Sequence, residues 1–361
     1  MRLFAALLLG LTALAAPAAA QVDPKNALLE RTGWEAVNAG DARAAAEAFR
    51  SAIVADPRNA TLHLGAGVAA FLERKDAEAR LALERALELD PKLLDARVLL
   101  SQVLYRIGDP TSAMRQLERA VGSAPSDTRL AEMLGRWRRE AELHDRMRES
   151  LNERFTVSFE GPEEAMLAAQ ALESLDRAYW RIGLALSTYP NRPISVVLYT
   201  GEQFHDITRS PAWAAGAYDG RIRVPMRGAL DDAKELDRVL AHEFAHALVN
   251  TLAPRNVPTW LNEGLATALE ADSLGWARDR VGRGSAPMSL TTLRSSFGRL
   301  TGDQAQLAYA TSALAVSRLL DEAGGFAMTN LLRDLGDGVD FEEAFLHRIQ
   351  RPFAAFLTGL D

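Results

Sequence analysis

The chain has 361 residues, 48% hydrophobic and 25% charged, which leaves room for two domains and excludes wholesale disorder. Its formal net charge of −7 provides no basic footprint for nucleic acid. It contains no cysteine, which excludes a disulfide framework, a thiolate metal site and lipid attachment through cysteine.

The first twenty residues have the pattern of a secretory signal. Arg2 supplies a positive start, residues 3–15 are apolar, and Ala18-Ala19-Ala20 precede Gln21 as small residues do at a cleavage point. An uncleaved membrane anchor is the alternative reading of the same stretch. Further along, charged residues interrupt every apolar run, so no membrane span is expected after cleavage. The expected destination is outside the cytoplasm, periplasmic or secreted, with the fold held by its cores alone.

Residues 26–143 repeat. Pro57, Pro91 and Pro125 are 34 residues apart, and the same period links Ala45, Ala79 and Ala113, then Phe49, Leu83 and Leu117, then Ala52, Ala86 and Ala120. Small residues let paired helices approach, and a proline ends the second helix of each pair. Gly40 and Gly108 stand at the turn between paired helices, and Arg74 takes that place in the middle repeat. This register resembles tetratricopeptide repeats, with units at 26–59, 60–93 and 94–127 and a capping helix to residue 143. Departures are Leu29 in place of the common tryptophan and Ala36 and Ala70 in place of the common tyrosine. The cluster Arg136-Trp137-Arg138-Arg139 is diluted by Glu140 and Glu142 and reads as a solvated helix face. Stacked repeats leave a groove for a peptide or protein partner; a spacer or lid is the other role such an array can serve.

Residues 144–361 mix strand and helix signals. Residues 154–159 alternate as a strand, 162–187 are helical, and 194–199 form a buried strand. Residues 217–224 contain Asp219-Gly220 between short extended pieces, which predicts a tight hairpin. Arg221 and Arg223 on it are read either as edge charges that block aggregation or as substrate contacts.

The next helix carries His242-Glu243-Phe244-Ala245-His246. Histidines four residues apart stand on one helical face and can share one ion, with Glu243 beside that ion and not on it. Leu236, Leu240, Phe244, Ala247 and Leu248 form an apolar stripe roughly opposite, and Asp232 with Glu235 suits a capping box. Residues 253–257, with Pro254 and Asn256, make a short turn, so the following helix folds back beside the first. That helix carries Glu263 in Trp260-Leu261-Asn262-Glu263-Gly264-Leu265-Ala266, a third protein ligand of the kind a catalytic zinc needs beside one open position.

These two motifs together resemble the gluzincin metallopeptidases, particularly the peptidase MA-like and aminopeptidase N-like groups. The resemblance implies that His242, His246 and Glu263 bind Zn2+, that Glu243 is the general base, and that an edge strand over the cleft pairs with extended substrate; residues 217–224 are the candidate edge. Gly216-Ala217-Tyr218-Asp219-Gly220 lacks the aminopeptidase motif G-A-M-E-N, which favours an endopeptidase or another amide hydrolase. Thr267 stands where some relatives place an aspartate that orients a histidine, leaving open which group does so here.

Residues 304–320 are helical in pattern and include Tyr309, which by the same resemblance stabilises the oxyanion; a tyrosine capping the core is the alternative. Gly324-Gly325 ends that helix, and closing helices follow to Phe356. His63, His144, His205 and His347 read as structural or surface residues.

The expected fold is α+β: an N-terminal all-α tetratricopeptide solenoid, then a gluzincin-like metallopeptidase domain with a small sheet and zinc-site helices. The implied function is an exported zinc metallopeptidase acting on peptides or proteins. A repeat-based assembly or chaperone factor with an idle hydrolase domain is the alternative.

Overall fold

The computed structural model describes residues 24–160, 165–208, 217–218, 220–225, 233–270, 273–282, 287–294, 297 and 300–358. The proposed signal segment, Asp232 of the expected capping box and the His205 side chain lie outside them. The chain divides into two compact units, one ending at Leu143 and the other running on from His144.

In the first unit, the pairs α1 (Pro24–Ala39) and α2 (Ala42–Ala55), α3 (Ala60–Leu72) and α4 (Asp76–Leu89), and α5 (Leu94–Arg106) and α6 (Pro110–Ser123) pack in succession. The periodic alanines, with Phe49, Leu83 and Leu117, are all fully buried, because they are the side chains between neighbouring helices. Gly40 (φ 80°), Arg74 (φ 58°) and Gly108 (φ 85°) all turn the chain through the left-handed region. The middle repeat therefore makes the same turn with a side chain that glycine would avoid, at roughly 1–2 kcal/mol. Helix α7 (Thr128–His144) adds Leu130 and Leu134 to the core. Its Trp137 stacks on Tyr105 at 4.3 Å, the Tyr105 hydroxyl donates to Glu140, and Arg138 pairs with Glu118 at 2.7 Å.

The second unit is built on a mixed sheet of order β1-β2-β3-β5-β4. Strands β2 (Phe155–Glu160), β3 (Ile194–Tyr199) and β5 (Ile222–Pro225) run parallel. On the flanks, β1 (Met147–Leu151) and β4 (Ala217–Tyr218) pair antiparallel. The sequence pattern does not announce β1, because both faces of it are largely exposed and no apolar alternation marks it. Phe155, Val157, Val196, Leu198, Ile222 and Val224 turn one face of the sheet into the core, against α8 (Ala165–Leu186) and α10 (Ala233–Leu252).

The hairpin expectation needs correcting in two places. Of the two hairpin strands only β4 lies at an edge of the sheet, since β5 is enclosed between β3 and β4. Arg223 is not an edge charge: strand alternation sends Ile222 and Val224 to the core and Arg223 to the opposite face. There it is buried and donates to the Tyr199 hydroxyl at 2.5 Å. Arg221 approaches His144 Nε2 at 3.2 Å.

The rest of the unit is helical. Helices α11 (Thr259–Glu270) and α12 (Gly275–Gly282) precede the long α13 (Gly302–Gly336), which Gly324 (φ 80°, ψ 163°) breaks where the sequence places its stop. Helices α14 (Phe341–Ile349) and α15 (Phe353–Leu357) close the chain, with Phe353 stacked on Trp260 at 5.8 Å.

Candidate metal centre

Helix α10 buries Leu236, Leu240, Phe244, Ala247 and Leu248, the stripe expected from the sequence, and leaves His242 and His246 partly exposed. Asn256, with φ 64°, turns the chain back so that α11 packs along α10. Trp260, Leu261 and Leu265 anchor α11 in the core and aim Glu263 at the two histidines.

Three acceptor atoms converge there. His242 Nε2 and His246 Nε2 are 3.1 Å apart, and Glu263 Oε2 lies 3.9 Å from the first and 3.5 Å from the second. A tetrahedral ion bonded at ordinary zinc–nitrogen lengths holds its donors about 3.3 Å apart, so the spacing suits one small cation. The other ring nitrogens settle the tautomers. His242 Nδ1 donates to Glu270 Oε2 at 2.6 Å and His246 Nδ1 donates to Asn262 Oδ1 at 3.1 Å, both oxygens being acceptors. Each imidazole therefore presents a bare Nε2 to the other and to a carboxylate, an arrangement that repels itself unless a positive charge sits within it.

The electrostatics agree. Burial opposes charge on His246, yet the Glu263 carboxylate beside it prevails and pushes it up to about 9. Burial acts to raise Glu263, but His246, His242 and the hydrogen bond from Tyr309 hold it below the usual carboxylate range. Both shifts have one cause, a carboxylate and two imidazoles that together favour positive charge between them. Among the described residues, His242, His246 and Glu263 are the group able to hold a metal ion.

Glu243 sits on the same helix, buried beside the histidines and outside the donor triangle. Burial pushes its carboxyl up, Glu263 and Glu270 add to the rise, and the histidines oppose it. Its Oε2 is buried without a hydrogen-bond partner. Tyr309, on α13, packs edge-on against Phe297 at 5.3 Å and hydrogen-bonds Glu263, so its hydroxyl points into the site and not outward. Burial, then the Glu263 and Glu243 charges, raises that hydroxyl well above the ordinary tyrosine range, and it is a donor at neutral pH.

Sequence reasoning missed Glu270, Arg238 and the role of Asn262. Glu270 lies seven residues after Glu263, two turns along one face, and takes the orienting role for which Thr267 is unsuited. Glu235 is committed to Arg238, which it binds through both carboxylate oxygens at 2.8 and 2.6 Å. His63 Nε2 lies 3.0 Å from the Pro57 carbonyl oxygen.

Residues 176–350 match the Peptidase MA superfamily, and residues 31–93 and 70–136 match tetratricopeptide repeats. Among solved structures, the first tetratricopeptide domain of Spaghetti bound to an HSP90 peptide is 20% identical, covering 34% of this chain and 99% of its own, with a TM-score of 0.33. MamA is 25% identical, over 35% of this chain and 74% of its own, with a TM-score of 0.33. The TPR2B domain of yeast Sti1 is 19% identical over 33% and 98%, with a TM-score of 0.31. No curated protein matches the chain. The chain thus carries a Peptidase MA superfamily domain together with tetratricopeptide repeats.

Proposed function

We propose that this protein is an exported, zinc-dependent peptidase whose repeat unit binds its substrate or a protein partner. The observation that carries the reading is the convergence of two bare imidazole nitrogens and one carboxylate oxygen, with a buried, unpartnered carboxylate oxygen of Glu243 beside them. Two nitrogens and one oxygen in a chain without cysteine suit zinc among the common divalent ions. His242, His246 and Glu263 would hold it, and the ion would supply Lewis-acid polarisation of a carbonyl and a lowered pKa for water.

The chain's own residues supply the rest. Glu270 and Asn262 fix the tautomer and ring plane of the two histidines. Glu243 accepts a proton from the attacking water at Oε2 and returns it to the leaving nitrogen, and the burial that raises its carboxyl brings it toward the pH at which one group serves as both base and acid. Tyr309 donates its hydroxyl, first to Glu263 and then to the oxygen that gains charge in the transition state. The hydrophobic leader with Ala18-Ala19-Ala20 supports export, and the repeats support a peptide or protein ligand.

The test is metal analysis of the purified protein with a peptide-library digest by the wild type and Glu243→Gln. Stoichiometric zinc with cleavage lost in the variant is expected. Zinc-bearing protein that cleaves nothing would favour an assembly factor with an idle site.

A further inference from the structure

Glu270 is the last residue of α11, the end of a helix where the macrodipole disfavours a negative charge by about 0.3–1 kcal/mol. Its side chain is nevertheless buried, with one oxygen at His242. Something must hold it there. Two arginines from two different helices meet that helix end. Arg181 of α8 donates to the Leu269 carbonyl at 2.6 Å and reaches the Glu270 carbonyl at 3.4 Å, stopping the final turn from fraying. Arg238 of α10 donates through Nη1 to Glu270 Oε1 at 3.0 Å.

Arg238 precedes His242 by one helical turn, so both side chains leave the same face of α10 and reach the two oxygens of a single carboxylate. Its guanidinium is not free to swing, because Glu235 binds Nε and Nη2 as a fork and leaves Nη1 directed at Glu270. A lysine has no such fork and offers a point charge in its place.

We infer that Arg238 is a positioning residue of the metal centre, which acts through Glu270 to fix the ring of His242 in its metal-ready orientation. The inference rests on the metal reading above. The order is Glu235 to Arg238 to Glu270 to His242, and only the last of these would touch the ion.

The experiment measures zinc affinity of the full chain by chelator competition, together with the visible spectrum of the cobalt-substituted protein and the melting temperature. Variants are Arg238→Gln, Arg238→Lys, Glu270→Ala and the double variant Arg238→Gln with Glu270→Ala. Arg238→Gln should weaken zinc binding about tenfold, the lower end of the effect of losing an outer partner, and shift the cobalt bands. Arg238→Lys should recover part of that loss. In the Glu270→Ala background, Arg238→Gln should cost nothing more, since its effect passes through the missing carboxylate. A wild-type protein that takes up no zinc overturns the metal reading and this inference together. Zinc uptake by the wild type with unchanged affinity and spectrum in Arg238→Gln overturns this inference alone, as does a full additional loss in the double variant.

Discussion

Gly264 lies against the backbone of Ser312 so closely that a Cβ on it would stand 2.6 Å from the Ser312 carbonyl oxygen. This contact lets α11 and α13 approach, and the approach is what brings the Tyr309 hydroxyl to Glu263. Gly264→Ala should push the helices apart, lower stability by about 1–3 kcal/mol as overpacking does, and reduce zinc retention. Thermal melts with metal analysis test this; a variant that melts and binds zinc like the wild type would show that the interface yields without moving the site.

Glu243→Gln keeps the shape of the side chain and removes its capacity to take a proton. Turnover should fall by roughly 10²–10⁴-fold, the range for loss of a general base. Zinc content should stay stoichiometric, because Glu243 is outside the donor triangle. Loss of zinc from this variant would reassign Glu243 as a ligand.

Tyr309→Phe deletes one hydroxyl and keeps the ring against Phe297. Turnover should drop about a hundredfold, roughly 2.7 kcal/mol, with little change in the Michaelis constant, since a donor to the oxyanion acts mainly in the transition state. Unchanged turnover on a good substrate would confine the hydroxyl to its hydrogen bond with Glu263.

Arg348 of α14 donates to both oxygens of Asp334 on α13, at 2.6 and 2.8 Å, and these hydrogen bonds hold the Asp334 carboxyl below its ordinary range. A depressed carboxylate contributes its stability above the unfolded value of about 3.9 and loses it as pH falls through the folded value. Asp334→Asn should therefore melt below the wild type at pH 7, and the gap should close as pH drops below about 4. A gap independent of pH would mean that shape, and not charge, joins the two helices.

The features legible in the sequence are those that one element carries within itself. The 34-residue period marks which alanines sit between helices, because each repeat presents the same face to its neighbour. The four-residue spacing of His242 and His246 places them on one face of any helix, whatever surrounds it. The stop at Gly324 and the turn at Arg74 follow from backbone preferences, the second from its position in the period and despite its residue type.

What only the tertiary structure decided are pairings between elements far apart in the chain. Nothing local marks Glu270 as the partner of His242, since a glutamate at a helix end looks like a solvated charge until α10 packs beside it. Arg223 is not marked locally as the partner of Tyr199, since edge charge and substrate contact both stay open until β4 covers β5 and alternation turns it to that hydroxyl. No local signal places the Tyr309 hydroxyl at Glu263; the absence of a side chain at Gly264 lets α13 close on α11 and brings it there. Helical and strand periods are short-range and survive in one dimension, whereas the partner of a buried charge is chosen by which backbones can approach, and that is settled only when the core is packed.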